Sequence, residues 1–149
     1  RDRHNIFDSI TTLSTTMKQL GCVLLVEDDD TTNFFNQYLI QSKGLAAEVA
    51  IAINGQEALD YLEKAGRGEA NVPDLILLDI NMPVMNGFEF IEHYEKLPDD
   101  WKSKILVVML TTSLHPDDLA RAKQHPSIAA YCYKPLMVDQ LTELVGTHF

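Results

Sequence analysis

From Gly21 onward the chain alternates between two textures, and that alternation limits the folds open to it more than any other feature. Short apolar runs stand at Cys22–Val26, Ala46–Ile53, Leu75–Leu78, Ile105–Leu110 and Ala130–Tyr133. Each has the length of a strand and is too short for a globular helix, so they read as buried strands. The intervening segments place apolar residues at helical spacing. Phe34, Phe35, Tyr38 and Leu39 form one face, and Ala58, Leu59 and Leu62 another. Phe88, Phe90, Ile91 and Tyr94 form a third, and Leu141, Leu144 and Val145 a last one. Strand, helix, strand, repeated, is the pattern of a parallel sheet covered on both faces. In 149 residues it predicts a single α/β domain with a doubly wound five-stranded parallel sheet.

Turn residues support these boundaries. Asn54-Gly55 separates the second strand from its helix, and Ala65-Gly66-Arg67-Gly68 ends that helix. Asn86-Gly87 opens the third helix and Pro98-Asp99-Asp100 closes it. His115-Pro116-Asp117-Asp118 starts the fourth, with Pro in the first turn and acids where the helix dipole favours them. Ahead of the alternating region, Ile6, Ile10, Leu13, Met17 and Leu20 recur at spacings of four and three. That reads as an extra amphipathic helix, or as a flexible lead-in given the threonines between them.

Charge narrows the partners. Twelve Lys and Arg against 22 Asp and Glu leave a formal charge of −10. A nucleic-acid binder neutralises phosphates with a basic face. The chain has no basic run, so direct nucleic-acid binding is not expected. Nor is there the run of about 18 apolar residues that a membrane span requires, so the expectation is no membrane insertion and a cytoplasmic location. Cys22 and Cys132 both lie in apolar runs and read as free thiols of a reducing compartment. Most of the acids need no explanation beyond solubility.

Some do. In an open α/β sheet the ligand site lies beyond the carboxyl ends of the strands. Glu27, Asp28 and Asp29 follow the first strand, Asp79 the third, Thr111 and Thr112 the fourth, and Lys134-Pro135 the fifth. Carboxylates crowded at one edge take up protons unless a cation neutralises them. Oxygen ligands without His or Cys select Mg²⁺ or Ca²⁺ over zinc. With Glu27, Asp28 and Asp79 ionised, one Mg²⁺ and a protonated Lys134 bring the formal sum to zero. Such a pocket suits a transferred phosphoryl group, and a carboxylate there can be the nucleophile that forms an acyl phosphate. The five His are scattered without ligand spacing.

The stretch LDINMPVMNGFE at Leu78–Glu89 resembles the phosphoacceptor loop of the receiver domains of bacterial two-component response regulators. LLVEDD at Leu24–Asp29 is similar to that family's acidic pair. VVMLTT at Val107–Thr112 is similar to its fourth strand with a switch hydroxyl, and AYCYKP at Ala130–Pro135 to its aromatic, Lys and Pro. The motifs stand in family order between Gly21 and Gly146. The resemblance implies a flavodoxin-like receiver domain over residues 21–149, with residues 1–20 as an extension. It implies that Asp79 accepts phosphoryl from the phosphohistidine of a sensor histidine kinase or phosphotransfer protein. Asp28 and Asp79 would bind Mg²⁺ directly, Asn81 through its backbone carbonyl and Glu27 mainly through water, with Asp29 just outside the pair. Lys134 would reach the phosphoryl oxygens and Thr111 would hydrogen-bond one of them. Tyr131 would then change rotamer and remodel a surface that docks a downstream protein target. Pro135 is expected to follow a cis peptide bond, and the chain to assist only its own phosphorylation and dephosphorylation rather than act as an enzyme.

Two other readings compete. A phosphatase of the haloacid-dehalogenase type also uses an Asp nucleophile with Mg²⁺, but it needs a second Asp two residues later, where Asn81 stands. A receiver-like interaction module working without phosphorylation usually lacks an acid or the Lys, and all are present. Gly87 reads as a turn residue, Trp101 as a partner contact or a lid over the third helix, and Ser113 as a residue that tunes phosphoryl lifetime. Only Gly146–Phe149 follow the last periodic segment, too few for an output module, so the expectation, if these residues are the whole protein, is action through protein contacts or as a phosphate relay or sink.

Overall fold

The computed structural model describes residues 19–149. The amphipathic pattern from Ile6 to Met17 lies outside the described residues, and its last member, Leu20, is the first residue of the sheet. The strands are β1 (Leu20–Val26), β2 (Ala46–Ala52), β3 (Leu75–Leu78), β4 (Leu106–Thr111) and β5 (Ile128–Tyr133). The helices are α1 (Asp30–Ser42), α2 (Gly55–Gly66), α3 (Gly87–Tyr94), the short α4 (Asp99–Lys102), α5 (Pro116–Lys123) and α6 (Val138–His148). All five strands are parallel in the order β2-β1-β3-β4-β5. This is the doubly wound arrangement anticipated from the alternation.

The strand alternation explains the two-sided core. Leu24, Val26, Ile76, Leu78, Val107 and Met109 face one side, against Ala58, Leu59 and Leu62 of α2, Phe88, Phe90, Ile91 and Tyr94 of α3, and Ala122 of α5. Val23, Leu25, Leu75, Leu77, Val108 and Leu110 face the other, against Ile40 of α1 and Leu141 and Val145 of α6. Side chains on a strand point alternately to opposite faces, so a continuous apolar run serves both layers at once.

Caps fix where the helices start. Asn54 and Asn86 accept backbone N–H groups of Glu57 (2.8 Å) and Glu89 (2.9 Å), and Asn86 with Glu89 completes a reciprocal capping box. His115 caps α5 by accepting the Asp117 N–H at 3.1 Å, with Pro116 in the first turn. The Pro98–Asp100 stretch does more than close α3. That helix ends at Tyr94, and Asp99–Lys102 form a turn of helix that brings Trp101 onto Gly66. A Cβ at Gly66 would lie 2.4 Å from the indole ring, so the half-buried Trp101 seals the end of α2 and depends on glycine there.

One helix face departs from expectation. Phe34, Phe35 and Tyr38 are 64%, 62% and 64% exposed, and α1 packs on the sheet through Asn33, Asn36 and Ile40 instead. The cause is local. Asp29 caps the helix by accepting the Thr32 N–H at 2.8 Å, and Asn33 Nδ2 donates to the Glu27 carbonyl at 2.8 Å. These bonds lock the rotation of α1 with its asparagine face inward, and at 3.6 residues per turn the aromatics then point out.

Candidate functional site

Backbone hydrogen bonds extend the sheet past its strand ends and set the positions of the residues that follow. Glu27 N–H donates to the Ala52 carbonyl (3.0 Å), Asp79 N–H to Val26 (3.0 Å) and Lys134 N–H to Thr111 (2.8 Å). Glu27, Asp79, Thr111 and Lys134 therefore stand side by side at one edge, although up to 107 residues separate them in sequence. Glu27, Asp79 and Thr111 are buried, Asp28 is exposed and Lys134 is half-buried.

Glu27, Asp28 and Asp79 each present a carboxylate oxygen, and these atoms lie within 4.8 Å of one another. The Lys134 ammonium pairs with Glu27 Oε1 and lies 3.3 Å from Asp79 Oδ1. Burial pushes the Glu27 carboxyl up to about 7, with the neighbouring Asp79 charge adding to the rise and the Lys134 ammonium opposing it. Burial alone would lower Lys134, but its bonds to Glu27 and Asp79 raise it above its ordinary value, so it remains protonated at neutral pH. Three ionised carboxylates and one ammonium would leave two negative charges, which a bound divalent cation would balance. An all-oxygen donor set of this kind fits a hard divalent cation. Asp29 stands apart from the cluster. Its carboxylate accepts the N–H (2.8 Å) and hydroxyl (2.5 Å) of Thr32, which hold it below the ordinary carboxylate value, while its own N–H donates to Glu27 Oε2 at 3.2 Å.

The loop after Asp79 is shaped by contact with the site. A Cβ on Gly87 would lie 2.3 Å from the Asp79 carbonyl oxygen, and the Gly87 N–H donates to the Ile80 carbonyl at 2.8 Å. Gly87 is thus required by the close approach of α3 to the acidic residue's own backbone, beyond its role in a turn. Between them Val84 adopts a left-handed conformation with φ 68°, a strained choice for a β-branched residue. Asn81 is exposed on this loop, and the Met85 carbonyl accepts the Gly55 N–H at 3.2 Å, tying the loop to the start of α2.

Thr111 and Tyr131 are joined through Ser113. The Ser113 N–H donates to Thr111 Oγ1 at 3.0 Å, the Tyr131 hydroxyl donates to the Ser113 carbonyl at 3.4 Å, and Ser113 Oγ donates to Asp118 at 2.5 Å. Tyr131 is half-buried against the α3 side of the core. The Lys134–Pro135 bond is cis, as expected from the motif. Two participants went unread in the sequence. Asn33, buried beneath Glu27, holds that residue's carbonyl, and its Oδ1 has no hydrogen-bond partner among the described residues. The available signal was a pair of asparagines, Asn33 and Asn36, three residues apart on what became the inward face. The Asp118 link to Ser113 had no sequence signal beyond helix-start acidity.

The family description of the response regulator receiver domain matches residues 23–146. The chain belongs to the response regulator receiver family. The response regulator Rcp1 of Synechocystis is 35% identical over 124 residues, covering 83% of this chain and 82% of that protein. A two-component response regulator from Cytophaga hutchinsonii superposes with a TM-score of 0.76 at 31% identity, covering 87% of this receiver and 99% of that chain. The phosphorylated cyanobacterial phytochrome response regulator RcpA gives 0.69 at 30% identity, over 85% and 89% of the two chains. A structure of Rcp1 holds Mn²⁺ and gives 0.67 at 29%, over 85% and 90%. Receivers are signalling switches rather than turnover enzymes, and a receiver implies a partner kinase. Among the described residues no helix is long and apolar enough to cross a membrane.

Proposed function

We propose that this receiver takes a phosphoryl group onto Asp79 from a phosphohistidine donor in the cytoplasm, and that the adduct changes the surface around Tyr131 for a downstream protein. The observation that carries the reading is the convergence of Glu27, Asp28 and Asp79 within 4.8 Å beside the Lys134 ammonium. An Asp79 carboxylate oxygen attacks phosphorus, the bond from phosphorus to the donor imidazole nitrogen breaks, and its electron pair stays on that nitrogen. Glu27, Asp28, Asp79 and the Asn81 carbonyl are the groups that would hold Mg²⁺, which supplies charge neutralisation for the phosphoryl oxygens when bound. Lys134, already 3.3 Å from Asp79, neutralises a further oxygen. The Thr111 hydroxyl accepts the Ser113 N–H and keeps its own proton free to donate to the phosphoryl group. Ser113 and Tyr131 are hydrogen-bonded in turn, so movement of Thr111 is passed to the Tyr131 ring.

Intact mass after incubation with Mg²⁺ and acetyl phosphate tests this. One phosphoryl adduct, labile at alkaline pH and absent from Asp79→Asn, is the expected result. No adduct from acetyl phosphate or from a phosphorylated histidine phosphotransfer protein, with Mg²⁺ shown to bind, would overturn it in favour of a module that works without phosphorylation.

A further inference from the structure

The loop between Thr111 and the start of α5 closes around Ser113. The Ser113 N–H donates to Thr111 Oγ1 at 3.0 Å, and the Ser113 carbonyl accepts the Tyr131 hydroxyl at 3.4 Å. The Ser113 hydroxyl donates to Asp118 Oδ2 at 2.5 Å and accepts the His115 N–H at 3.3 Å. Thr111 and Tyr131 thus hang on one residue, and a carboxylate ties that residue to the first turn of α5. A hydrogen bond to a charged acceptor is roughly twice as strong as a neutral one. Ser113 and Asp118 are both half-buried, so water competes less for the bond.

The far end of this tie is fixed. Helix α5 buries Ala122 in the core, and its Arg121 guanidinium lies 4.4 Å from the centre of the Phe88 ring and 3.7 Å from Glu92. Just past the helix, His125 stacks on Phe88 with ring centres 6.4 Å apart and bonds Glu95 at 3.1 Å. These contacts brace α5 against α3, so Ser113 is not free to follow Thr111. On the phosphoacceptor reading above, on which this step rests, Thr111 moves toward a phosphoryl oxygen on Asp79. Its bond to the Ser113 N–H then draws Ser113 away from Asp118. We infer that Asp118 is a positioning residue for the phosphoryl switch: through Ser113 it latches Thr111 and Tyr131 in the resting arrangement, and phosphorylation breaks the latch. A contact made only in the resting state lowers the population of the other, so its loss favours phosphorylation. Asp118 acts through Ser113 rather than on the phosphoryl group.

Intact mass of the full chain, followed over time with Mg²⁺ and acetyl phosphate, gives the rate of adduct formation. Asp118→Ala should raise that rate about fivefold. Asp118→Asn keeps an acceptor oxygen for Ser113 and should return the rate most of the way to the parent's. Neither variant touches the apolar core, so both should fold. Fluorine NMR of chain labelled with 3-fluorotyrosine, with the Tyr131 signal assigned by Tyr131→Phe, reads the switch itself. In unphosphorylated Asp118→Ala that signal should move toward its position in the phosphorylated parent, a shift that mere loss of stability would not produce. If the parent takes the adduct but Asp118→Ala is no faster, or its Tyr131 signal stays at the resting position, the latch is overturned and the phosphoacceptor reading stands. No adduct on any of the chains would instead sink the phosphoacceptor reading, and the latch with it.

Discussion

Helices α1 and α3 lie on opposite faces of the sheet, start beside the same acidic site, and carry similar aromatic content, yet they use it in opposite ways. In α3, Phe88, Phe90, Ile91 and Tyr94 are all buried. In α1 the aromatics are exposed and two asparagines face the sheet. The difference is in what fixes each helix's rotation. The capping box of Asn86 and Glu89 leaves α3 free to turn its apolar stripe inward. The rotation of α1 is set by the site, because Asn33 must reach the Glu27 carbonyl. A polar anchor thus outweighs the apolar pattern where the anchor serves the backbone of a functional residue.

The comparison breaks most visibly at its hydrophobic ends. Phe90→Ala should cost about 3–5 kcal/mol in urea unfolding, whereas Phe35→Ala should stay within about 0.5 kcal/mol of the parent. Equal losses from both would mean that α1 packs by its aromatics after all. At the helix starts, Gly87→Ala should cost up to about 3 kcal/mol because the new methyl meets the Asp79 carbonyl oxygen. It should also weaken Mg²⁺ binding, checked by titration of the refolded variant. Asn33→Ala should cost about 1–2 kcal/mol by leaving the buried Glu27 carbonyl unpaired, a loss that a merely solvated asparagine would not produce.

These effects mark how far the sequence could be read. Strand runs and the apolar stripes of α2, α3 and α6 were legible because burial on the sheet is periodic and local. The convergence of Glu27, Asp28, Asp79 and Lys134 was legible because parallel topology aligns the strands' carboxyl ends. The orientation of α1 was not, since Phe34 and Phe35 satisfy helical spacing on either face and the deciding bond runs from Asn33 to a backbone atom. The closeness of Gly87 to Asp79 was likewise hidden, because it depends on where the α3 axis meets the loop. The short helix that places Trp101 on Gly66 comes from tertiary packing that no periodicity records.

The smallest expected effect is one of pH. Glu27 titrates near about 7 in the folded chain against an ordinary value of 4.5, so between those values the native state binds more protons than the unfolded one. Stability without metal should therefore fall as pH rises through that window. Lys134, raised from an already high 10.5, contributes a constant amount there. Melting temperatures in chelator from about pH 5 to about pH 8 should show the decline, and Glu27→Gln should flatten it. Mg²⁺ should raise the melting temperature more at the alkaline end, where it no longer competes with a proton.

The most direct test of the account is the proton count of Mg²⁺ binding, since the whole reading rests on Glu27, Asp28 and Asp79 forming one cation site that a proton occupies in the cation's absence. Titration calorimetry at neutral pH in buffers of different ionisation enthalpy should give one Mg²⁺ per chain with release of about half a proton. The release should vanish in Glu27→Gln and binding should be lost in Asp79→Ala. Binding with no proton release in the parent, or binding undiminished in Asp79→Ala, would contradict it.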